Sequence, residues 1–217
     1  MYLSRVEIDI YNRQKMRNLN HLGAFHNWVE QSFPEEIKSD VRSRKLWRID
    51  SLKGKKYLLI VSKSKPDAEL LEKYGVRGTS LTKDYLSFLN LLKNDITAKF
   101  RVTLNPVVSI KNIGDMNDRG RTVPHITIAH QMKFLLDRAE KNGFSLNEND
   151  FKIVERGFAP FKKRGEKSIM LNKVSYEGIL KIIDAKLFKD MLINGFGKKK
   201  AYGFGMMTVI LIRQSHE

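Results

Sequence analysis

A short segment near the C-terminus, residues 194–205, combines four glycines with three consecutive lysines. Glycine permits positive φ angles and lets a ligand approach the backbone N–H groups, and lysine supplies positive charge for the same ligand. We therefore predict that this segment, the glycine loop, binds a phosphate-containing ligand through Gly195, Gly197, Lys198, Lys199, Lys200, Gly203 and Gly205. The alternative is that the glycines only cap a helix and connect it to a strand, with the lysines in solvent.

The order of elements around the glycine loop excludes two familiar phosphate-binding motifs. Dinucleotide-binding and P-loop segments follow a strand and begin a helix, because the phosphate binds at the helix N-terminus. Here residues 185–193 have helical apolar spacing, Gly195 suits the end of that helix, and residues 206–212 form an apolar run typical of a strand. The loop therefore belongs to neither motif.

Five histidines could transfer protons near neutral pH, namely His21, His26, His125, His130 and His216. No two lie four residues apart, where one helix face would present both to a metal, and the chain has no cysteine. We therefore predict no metal site and no cofactor. His26 is the candidate general acid or base, because it borders the apolar face of a predicted helix; the alternative is a structural hydrogen bond there. The other histidines are interpreted as structural or incidental, with His21 at the start of that helix.

A second basic segment lies between two predicted strands, residues 151–161 and 169–183. It contains Lys162, Lys163, Arg164, Gly165 and Lys167. Basic side chains at the tip of a β-hairpin can bind phosphates, and Gly165 favours the turn. The alternative is a charged tip that is only solvated. Since the glycine loop flanks the same predicted sheet, we predict that both segments bind one polyanion.

The net charge of +16 narrows the class of ligand. Residues 1–93 carry 18 basic and 11 acidic side chains, and residues 94–217 carry 22 and 13, so both halves are basic. The resulting positive electrostatic potential favours polyanionic ligands, most often nucleic acid.

The lack of cysteine agrees with a reducing compartment, and no apolar run approaches the roughly 20 residues that span a bilayer. We predict a soluble, cytoplasmic protein that contacts no membrane.

Both halves of the chain predict the same order of elements. The first half predicts strands at 2–10, 46–49, 57–61 and 85–92, with helices at 22–33, ended by Pro34, and at 66–73. The second half predicts a strand at 96–108 broken at Asn105-Pro106, a polar loop at 112–122, a helix from Pro124 to Gly143, a hairpin at 151–161 and 169–183, a helix at 185–193 and a strand at 206–212. We predict an α+β fold of two tandem ferredoxin-like (RRM-like) β-α-β-β-α-β domains with antiparallel sheets. Residues 1–93 would carry His26, and residues 94–217 the basic hairpin and the glycine loop.

Several segments together match one known pattern. They are residues 1–4, His26, residues 101–106, residues 121–124, residues 176–178 and the glycine loop. The loop is the specific part, because it fits G-h-G-x-x-K-[SA]-h-G-h-G, where h is a hydrophobic residue. On these residues the chain resembles, over nearly its whole length, the CasE family of CRISPR repeat-RNA endoribonucleases. One departure is Gly23, where relatives often carry a tyrosine; Tyr11 or another residue would have to replace it.

The resemblance implies a substrate, a cut and an assembly. The substrate would be a precursor CRISPR RNA stem-loop, cut once at the 3′ base of the repeat stem, with the mature guide RNA retained and other Cascade subunits as partners. The resemblance places His26 at the catalytic histidine and Lys167 near the cleaved phosphate. It also implies that Lys162, Lys163 and Arg164 contact the stem.

The chemistry implied by the resemblance needs no metal, because the RNA 2′-OH is itself the nucleophile. We expect His26 to deprotonate the 2′-OH or to protonate the 5′-oxygen, and lysines to stabilise the phosphorane charge. The products would be a 2′,3′-cyclic phosphate and a 5′-OH. The alternative is a non-catalytic RNA-binding or scaffold protein with tandem RRM-like domains, since residues 200–206 resemble an RNP1 strand. Against it, RNP1 lies on the third strand of an RRM, whereas these residues enter the last one.

Overall fold

The computed structural model describes residues 1–110, 121–162 and 165–212. Two successive β-α-β-β-α-β units can be traced along these residues, with additional short helices and strands between their elements. The strands are β1 (Tyr2–Glu7), β2 (Leu46–Leu52), β3 (Lys55–Ser62), β4 (Leu81–Asp84), β5 (Thr97–Leu104), β6 (Val107–Ile110), β7 (Arg121–Pro124), β8 (Phe144–Ser145), β9 (Phe151–Phe161), β10 (Ile169–Ile182) and β11 (Met207–Leu211). The helices are α1 (Arg13–Asn18), α2 (Leu22–Gln31), α3 (Pro34–Lys38), α4 (Ala68–Glu72), α5 (Leu86–Asn90), α6 (Ile128–Ala139) and α7 (Ala185–Asn194).

The first sheet has the strand order β2-β3-β1-β4, and each neighbouring pair is antiparallel. This is the order of a ferredoxin-like unit, in which the two crossover helices pack on one face of the sheet. The core between them includes Trp28 and Val29 of α2, Leu58 of β3 and Leu71 of α4. The indole Nε1–H of Trp28 also donates to the carbonyl oxygen of Leu71 at 3.1 Å. The apolar face of α2 is thus fixed against the first sheet.

The second sheet repeats this arrangement with longer strands. Its order is β11-β5-β10-β8, with β9 also paired to β10, and all pairs are antiparallel. Strands β9 and β10 form a long hairpin that pairs Phe151 with Gly178 at one end and Phe161 with Ile169 at the other. At that second end, Phe161 packs with Leu22 of the first unit. The hairpin therefore brings its basic tip to α2.

A shared core and one buried arginine join the two units. Leu46 and Tyr85 of the first unit belong to the same buried cluster as Val102 of the second. Arg48, which is 2% exposed, donates to both carboxylate oxygens of Asp50 and to the carbonyl oxygens of Arg101 and Met206, all at 2.7–2.8 Å. A buried guanidinium is costly unless its donors are satisfied, so this network specifies how the units pack. It fixes α2 relative to the glycine loop.

The α+β fold with antiparallel, ferredoxin-like sheets is confirmed, and most predicted elements lie within a few residues of their predicted ends. The predicted strand at 85–92 is wrong: β4 ends at Asp84 and residues 86–90 form α5. Tyr85, Leu89 and Leu92 are all buried, and their spacing of four and three is helical, whereas the run was interpreted as a strand because it is apolar. The domain boundary between residues 93 and 94 stays a prediction.

The region before α6 also differs from its prediction. The helix begins at Ile128 rather than Pro124, because Thr127 is its N-cap and accepts a hydrogen bond from the backbone N–H of His130 at 3.3 Å. Residues 121–124 instead form β7, which pairs with β6. Most of the polar loop predicted at 112–122 lies outside the described residues, as does His216.

Candidate active site

Helix α2 positions His26. The helix begins after His21, whose side-chain Nδ1 caps it by accepting the backbone N–H of Ala24 at 3.1 Å. Trp28 and Val29 are buried against the sheet, and His26 lies beside them on a half-buried edge of the same helix. The predicted position of His26 next to the apolar face is therefore confirmed. The imidazole is held by a packed helix but is still reachable from solvent.

Two other segments meet the His26 side chain. The ring of Tyr202, in the glycine loop, lies edge-on to His26 with 5.1 Å between ring centroids and an angle of 66°. The ring centroid of Tyr202 in turn lies 4.4 Å from that of Phe161, the last residue of β9 before the basic tip of the hairpin. The helix, the hairpin and the glycine loop, which are far apart in sequence, thus converge on one histidine.

These three segments line an open cavity of about 500 Å³, here called the α2 cavity. Its lining residues are His21, Gly23, Ala24, His26, Asn27, Lys162 and Tyr202. Among the described residues, the lining includes two histidines and a lysine but no carboxylate. Such a cavity is suited to an anionic group that must exchange protons with imidazole.

The pKa of His26 is lowered below its usual value, chiefly because burial disfavours the charged ring. Glu30 and contact with the backbone of Ala201 oppose this shift, whereas the cations of Lys45 and Arg42 add to it. At neutral pH the ring is therefore mostly neutral and can accept a proton. This is the state that a general base requires.

A buried ion cluster supports the His26 side of α2. Lys45, whose side chain is 1% exposed, lies 3.2 Å from Glu30 and 2.8 Å from Glu36. Its Nζ also lies 4.9 Å from the centroid of the Phe33 ring. Hydrogen bonds from Lys45, Ser64 and Ser43 outweigh burial and lower the pKa of Glu36 to about 2. The cation of Lys45 is thus committed to carboxylates, and it acts on His26 only through its field.

The glycines of the loop are explained by packing within the protein. All four have φ between +78° and +83°. A Cβ on Gly203 would lie 2.6 Å from the Trp47 ring, one on Gly205 would lie 2.2 Å from the carbonyl oxygen of Phe196, and one on Gly195 would lie 2.6 Å from Leu46. The positive φ at all four positions and the close contacts at Gly195, Gly203 and Gly205 therefore require glycine whether or not a phosphate binds.

The three lysines of the loop diverge. Lys198 is exposed and lines a second cavity with His125 and His130. Lys199 has φ +62°, and its Nζ lies 5.0 Å from the centroid of the Phe161 ring. Lys200 donates to the carbonyl oxygen of Asn194 at 3.1 Å, where it caps the C-terminus of α7, and burial lowers its pKa. Lys198 and Lys199 are thus better placed than Lys200 to meet a ligand, and their role in binding stays a prediction.

The hairpin tip contributes one residue to the α2 cavity. Lys162 lines it, and a Cβ on Gly23 would lie 2.2 Å from the Lys162 carbonyl oxygen. Gly23 therefore allows the hairpin to approach α2, and a tyrosine at this position would displace it. Lys167 is exposed and is not among the residues that line the cavity, while Lys163 and Arg164 lie outside the described residues. The roles predicted for these side chains stay predictions.

Sequence reasoning missed two residues of the cavity, His21 and Tyr202. His21 was expected to begin α2, which is confirmed, but its place in the cavity was not foreseen. Tyr202 occupies a hydrophobic position of the loop pattern, and nothing in its spacing relates it to His26. The proposed substitute Tyr11 is 86% exposed and is not among the residues that line the cavity.

Within residues 1–110, 121–162 and 165–212, no group of three His, Asp or Glu side chains could hold a metal ion. In the same part of the chain, no helix has the length and apolar composition needed to cross a membrane.

Known proteins match this chain along nearly its full length. The model of a family described as CRISPR associated protein matches residues 1–210. The CRISPR-associated endoribonuclease Cse3 of Thermus thermophilus is 25% identical over 220 residues, which cover 96% of this chain and 99% of the relative. Thermus thermophilus Cse3 bound to an RNA representing a pre-cleavage complex has a TM-score of 0.77 and 22% identity, covering 96% of this chain and 98% of that one. A chain of a CRISPR RNA-guided surveillance complex, pre-nicking, has a TM-score of 0.69 and 20% identity, covering 98% of this chain and all of that one. The two structural matches show a shared fold.

Proposed function

This chain belongs to the CRISPR-associated protein family, and on that premise we propose that it is an endoribonuclease that cuts precursor CRISPR RNA at the 3′ base of the repeat stem-loop. The observation that carries the proposal is the place of His26. It lines an open cavity bounded by α2, the glycine loop and the tip of the basic hairpin. The relative Cse3 is named an endoribonuclease and aligns over 96% of this chain.

The reaction we propose is transesterification without a metal. Neutral His26 takes the proton of the 2′-OH at the scissile nucleotide, and the 2′-oxygen forms a bond to the adjacent phosphorus. The bond from phosphorus to the 5′-oxygen breaks, and that oxygen takes a proton from water and leaves as a 5′-OH. The hydroxide that remains takes the proton from His26, which restores the neutral ring. The other product ends in a 2′,3′-cyclic phosphate. The lowered pKa of His26 supports its role as the base, because the ring is available to accept a proton at neutral pH.

Positive charge around the α2 cavity would stabilise the phosphorane and hold the stem. Lys162 lines the cavity, and Lys199 lies over Phe161 at its edge. We propose that these side chains contact phosphates, together with Lys163, Arg164, Lys198, Lys200 and the exposed Lys167. Side chains do not enter the deep, narrow major groove of A-form RNA easily, so specificity would depend on shape, phosphates and bases near the stem end.

We further propose that the protein retains its product and joins a Cascade assembly. The chain shares its fold with a component of a CRISPR RNA-guided surveillance complex, over the full length of that component. A nuclease that keeps its product would deliver the guide RNA to such a complex. The site of action would be the cytoplasm, since the proposed substrate is an intracellular transcript.

The test is a cleavage assay with hairpin repeat RNA labelled at the 5′ end, in EDTA and at two salt concentrations. We expect wild type to make one cut at the base of the stem with a cyclic phosphate end, and His26→Ala to bind the RNA without cutting it. A substrate with 2′-deoxyribose at the scissile nucleotide should stay intact, and its full cleavage would contradict the mechanism.

The scaffold alternative has one observation in its favour, which is glycine at position 23, where relatives often carry a tyrosine. If wild type and His26→Ala bind repeat RNA equally and neither cuts it, the protein is a scaffold rather than a nuclease.

A further inference from the structure

The α2 cavity contains a second histidine whose polar atoms are not all used by the fold. His21 lines the cavity together with His26, Gly23 and Lys162. Its Nδ1 accepts the backbone N–H of Ala24 at 3.1 Å, and this is the one hydrogen bond of the His21 ring within the described residues. Within the described residues, the Nε2 atom therefore has no hydrogen-bond partner.

The cap fixes which protons the His21 ring carries. A nitrogen that accepts a hydrogen bond has no proton, so the proton of the neutral ring is on Nε2. Capped His21 therefore has its N–H on Nε2, where it can be donated.

The His21 ring also lies where a side chain from position 23 would begin. A Cβ on Gly23 would lie 3.0 Å from His21 Nδ1 and 3.1 Å from its Cε1, besides the contact of 2.2 Å with the Lys162 carbonyl oxygen. The glycine therefore leaves room for the hairpin and the His21 ring together. The space that a side chain at position 23 would fill is thus bordered by the Lys162 carbonyl oxygen and by the Nδ1 and Cε1 atoms of the His21 ring.

We propose that His21 is a second catalytic residue, whose Nε2–H donates a hydrogen bond to a non-bridging oxygen of the phosphate that is cleaved. This inference rests on the proposed function. His26 takes the proton of the 2′-OH, while His21 neither gains nor loses a proton and stabilises the charge that develops on the phosphorane. A donor fixed in advance by the fold acts without reorganisation during the reaction, and losing such a donor typically costs about 10²–10³ in rate.

The variant His21→Asn separates catalysis from capping. Asparagine is among the best N-cap residues, so its side-chain oxygen keeps the hydrogen bond to Ala24, but the imidazole N–H is lost. We expect the single-turnover cleavage rate at saturating enzyme to fall about 100-fold. The dissociation constant for repeat RNA and the melting temperature should stay close to wild type.

The matched control is Asp67→Asn, which places the same residue at the N-cap of α4, where Asp67 accepts the backbone N–H of Leu70 at 2.9 Å. It should cleave at the wild-type rate. If His21→Asn lowers the melting temperature, His21→Ser, which also keeps an N-cap acceptor without an imidazole, replaces it and should show the same loss of rate.

The pH profile adds a readout that a structural role would not change. If His21 donates a hydrogen bond without transferring a proton, the cleavage rate should rise once with pH as His26 loses its proton. His21→Asn should then lower the plateau of the rate without moving the midpoint. A bell-shaped wild-type profile whose alkaline limb disappears in His21→Asn would overturn the proposal, since it would make His21 a proton donor. A wild-type rate in His21→Asn would overturn it too, leaving His21 as a cap only. These outcomes differ from failure of the proposed nuclease function, because the wild-type protein itself would then leave the RNA intact.

Discussion

Two histidine pairs with the same spacing of five residues line two different cavities. His21 and His26 line the α2 cavity, and His125 and His130 line a second cavity of about 410 Å³ near α6. The glycine loop contributes to both, with Tyr202 in the first and Lys198 in the second. Spacing in the sequence therefore does not decide which pair could act in chemistry.

The surroundings of the two pairs differ in ways that matter for an anionic substrate. The second cavity includes the carboxylate of Asp137, which pairs with Lys133 at 2.6 Å, whereas the described residues that line the α2 cavity include no carboxylate. The rings of His125 and His130 lie 5.7 Å apart, while His26 lies against the aromatic ring of Tyr202. The second cavity also has three cationic side chains, Lys133, Arg138 and Lys198, so charge alone does not separate the two cavities. We propose that the chemistry belongs to the α2 cavity because it brings His26 together with Lys162 of the hairpin and Tyr202 of the glycine loop.

The largest expected effect is on the cleavage rate, and it distinguishes the His21–His26 pair from the His125–His130 pair. His26→Gln should lower the single-turnover cleavage rate about 10³-fold, because a positioned general base contributes roughly 10²–10⁴. His125→Gln, the same change in the other cavity, should stay within about twofold of wild type. The measurement is the rate at saturating enzyme with one labelled repeat RNA. Equal losses of cleavage rate in the two variants would show that the chemistry is not confined to the α2 cavity.

The second prediction concerns the loop that joins the two cavities. Gly203→Ala places a Cβ against the Trp47 ring at φ +83°, whereas Gly197→Ala has φ +80° but meets only Leu104 at 3.7 Å. We expect Gly203→Ala to lower the free energy of unfolding by about 2–3 kcal/mol and Gly197→Ala by about 1 kcal/mol. Urea denaturation measures both changes.

Cleavage by the same two variants tests which cavity depends on the loop. The Trp47 Nε1–H donates to the carbonyl oxygen of Ala201 at 2.9 Å, next to Tyr202. Displacing Trp47 should therefore move Tyr202 and slow cleavage in Gly203→Ala more than in Gly197→Ala. If the two variants lose rate equally, the packing of Gly203 on Trp47 does not position the α2 cavity.

The sequence was enough to predict the main outline of the fold because that outline follows hydrophobic periodicity. The helix of Leu22, Phe25 and Val29 and the hairpin of residues 151–161 and 169–183 were each found from spacing and turn residues alone. The resemblance to the CasE family is confirmed by the family match over residues 1–210 and the alignment with Cse3. The strand predicted at 85–92 failed because a short apolar run fits both periods.

The candidate site was predictable only in part, because its geometry depends on contacts between distant segments. The position of His26 beside an apolar stripe was predictable from spacing, but its catalytic role was suggested by the resemblance to the CasE family and stays a prediction. Tyr202 reaches it only because Gly203 packs on Trp47 and the two units share a core, and no local pattern encodes such a contact. The glycines were interpreted as a phosphate cradle, but three of them are already required by Leu46, Trp47 and Phe196.

The pH dependence of the cleavage rate should also distinguish the two cavities, although the expected change in rate is smaller. Burial is the main cause that lowers the pKa of both His26 and His125 below 6.5. For a general base, the rate is low while the ring is protonated and rises as pH increases through its lowered pKa, so we expect a midpoint below the usual histidine value and a plateau at higher pH. Both rings can be titrated by NMR. The cleavage profile should follow His26, and a profile that follows His125 would reverse the assignment.

The smallest expected effect tests what Tyr202 contributes to the difference between the cavities. Its ring lies edge-on to His26 and packs on Phe161, so we interpret it as a positioning residue that holds the imidazole through its ring rather than its hydroxyl. Tyr202→Phe keeps the ring and should stay within about twofold of the wild-type rate, whereas Tyr202→Ala removes a contact of the kind worth about 0.5–1.5 kcal/mol and should lose about 10-fold. The Michaelis constant should change less than kcat in the alanine variant, because the base is misplaced while the RNA contacts remain. A loss of 100-fold in Tyr202→Phe would instead make the hydroxyl a direct participant, and it would move the second donor of the α2 cavity from His21 to the glycine loop.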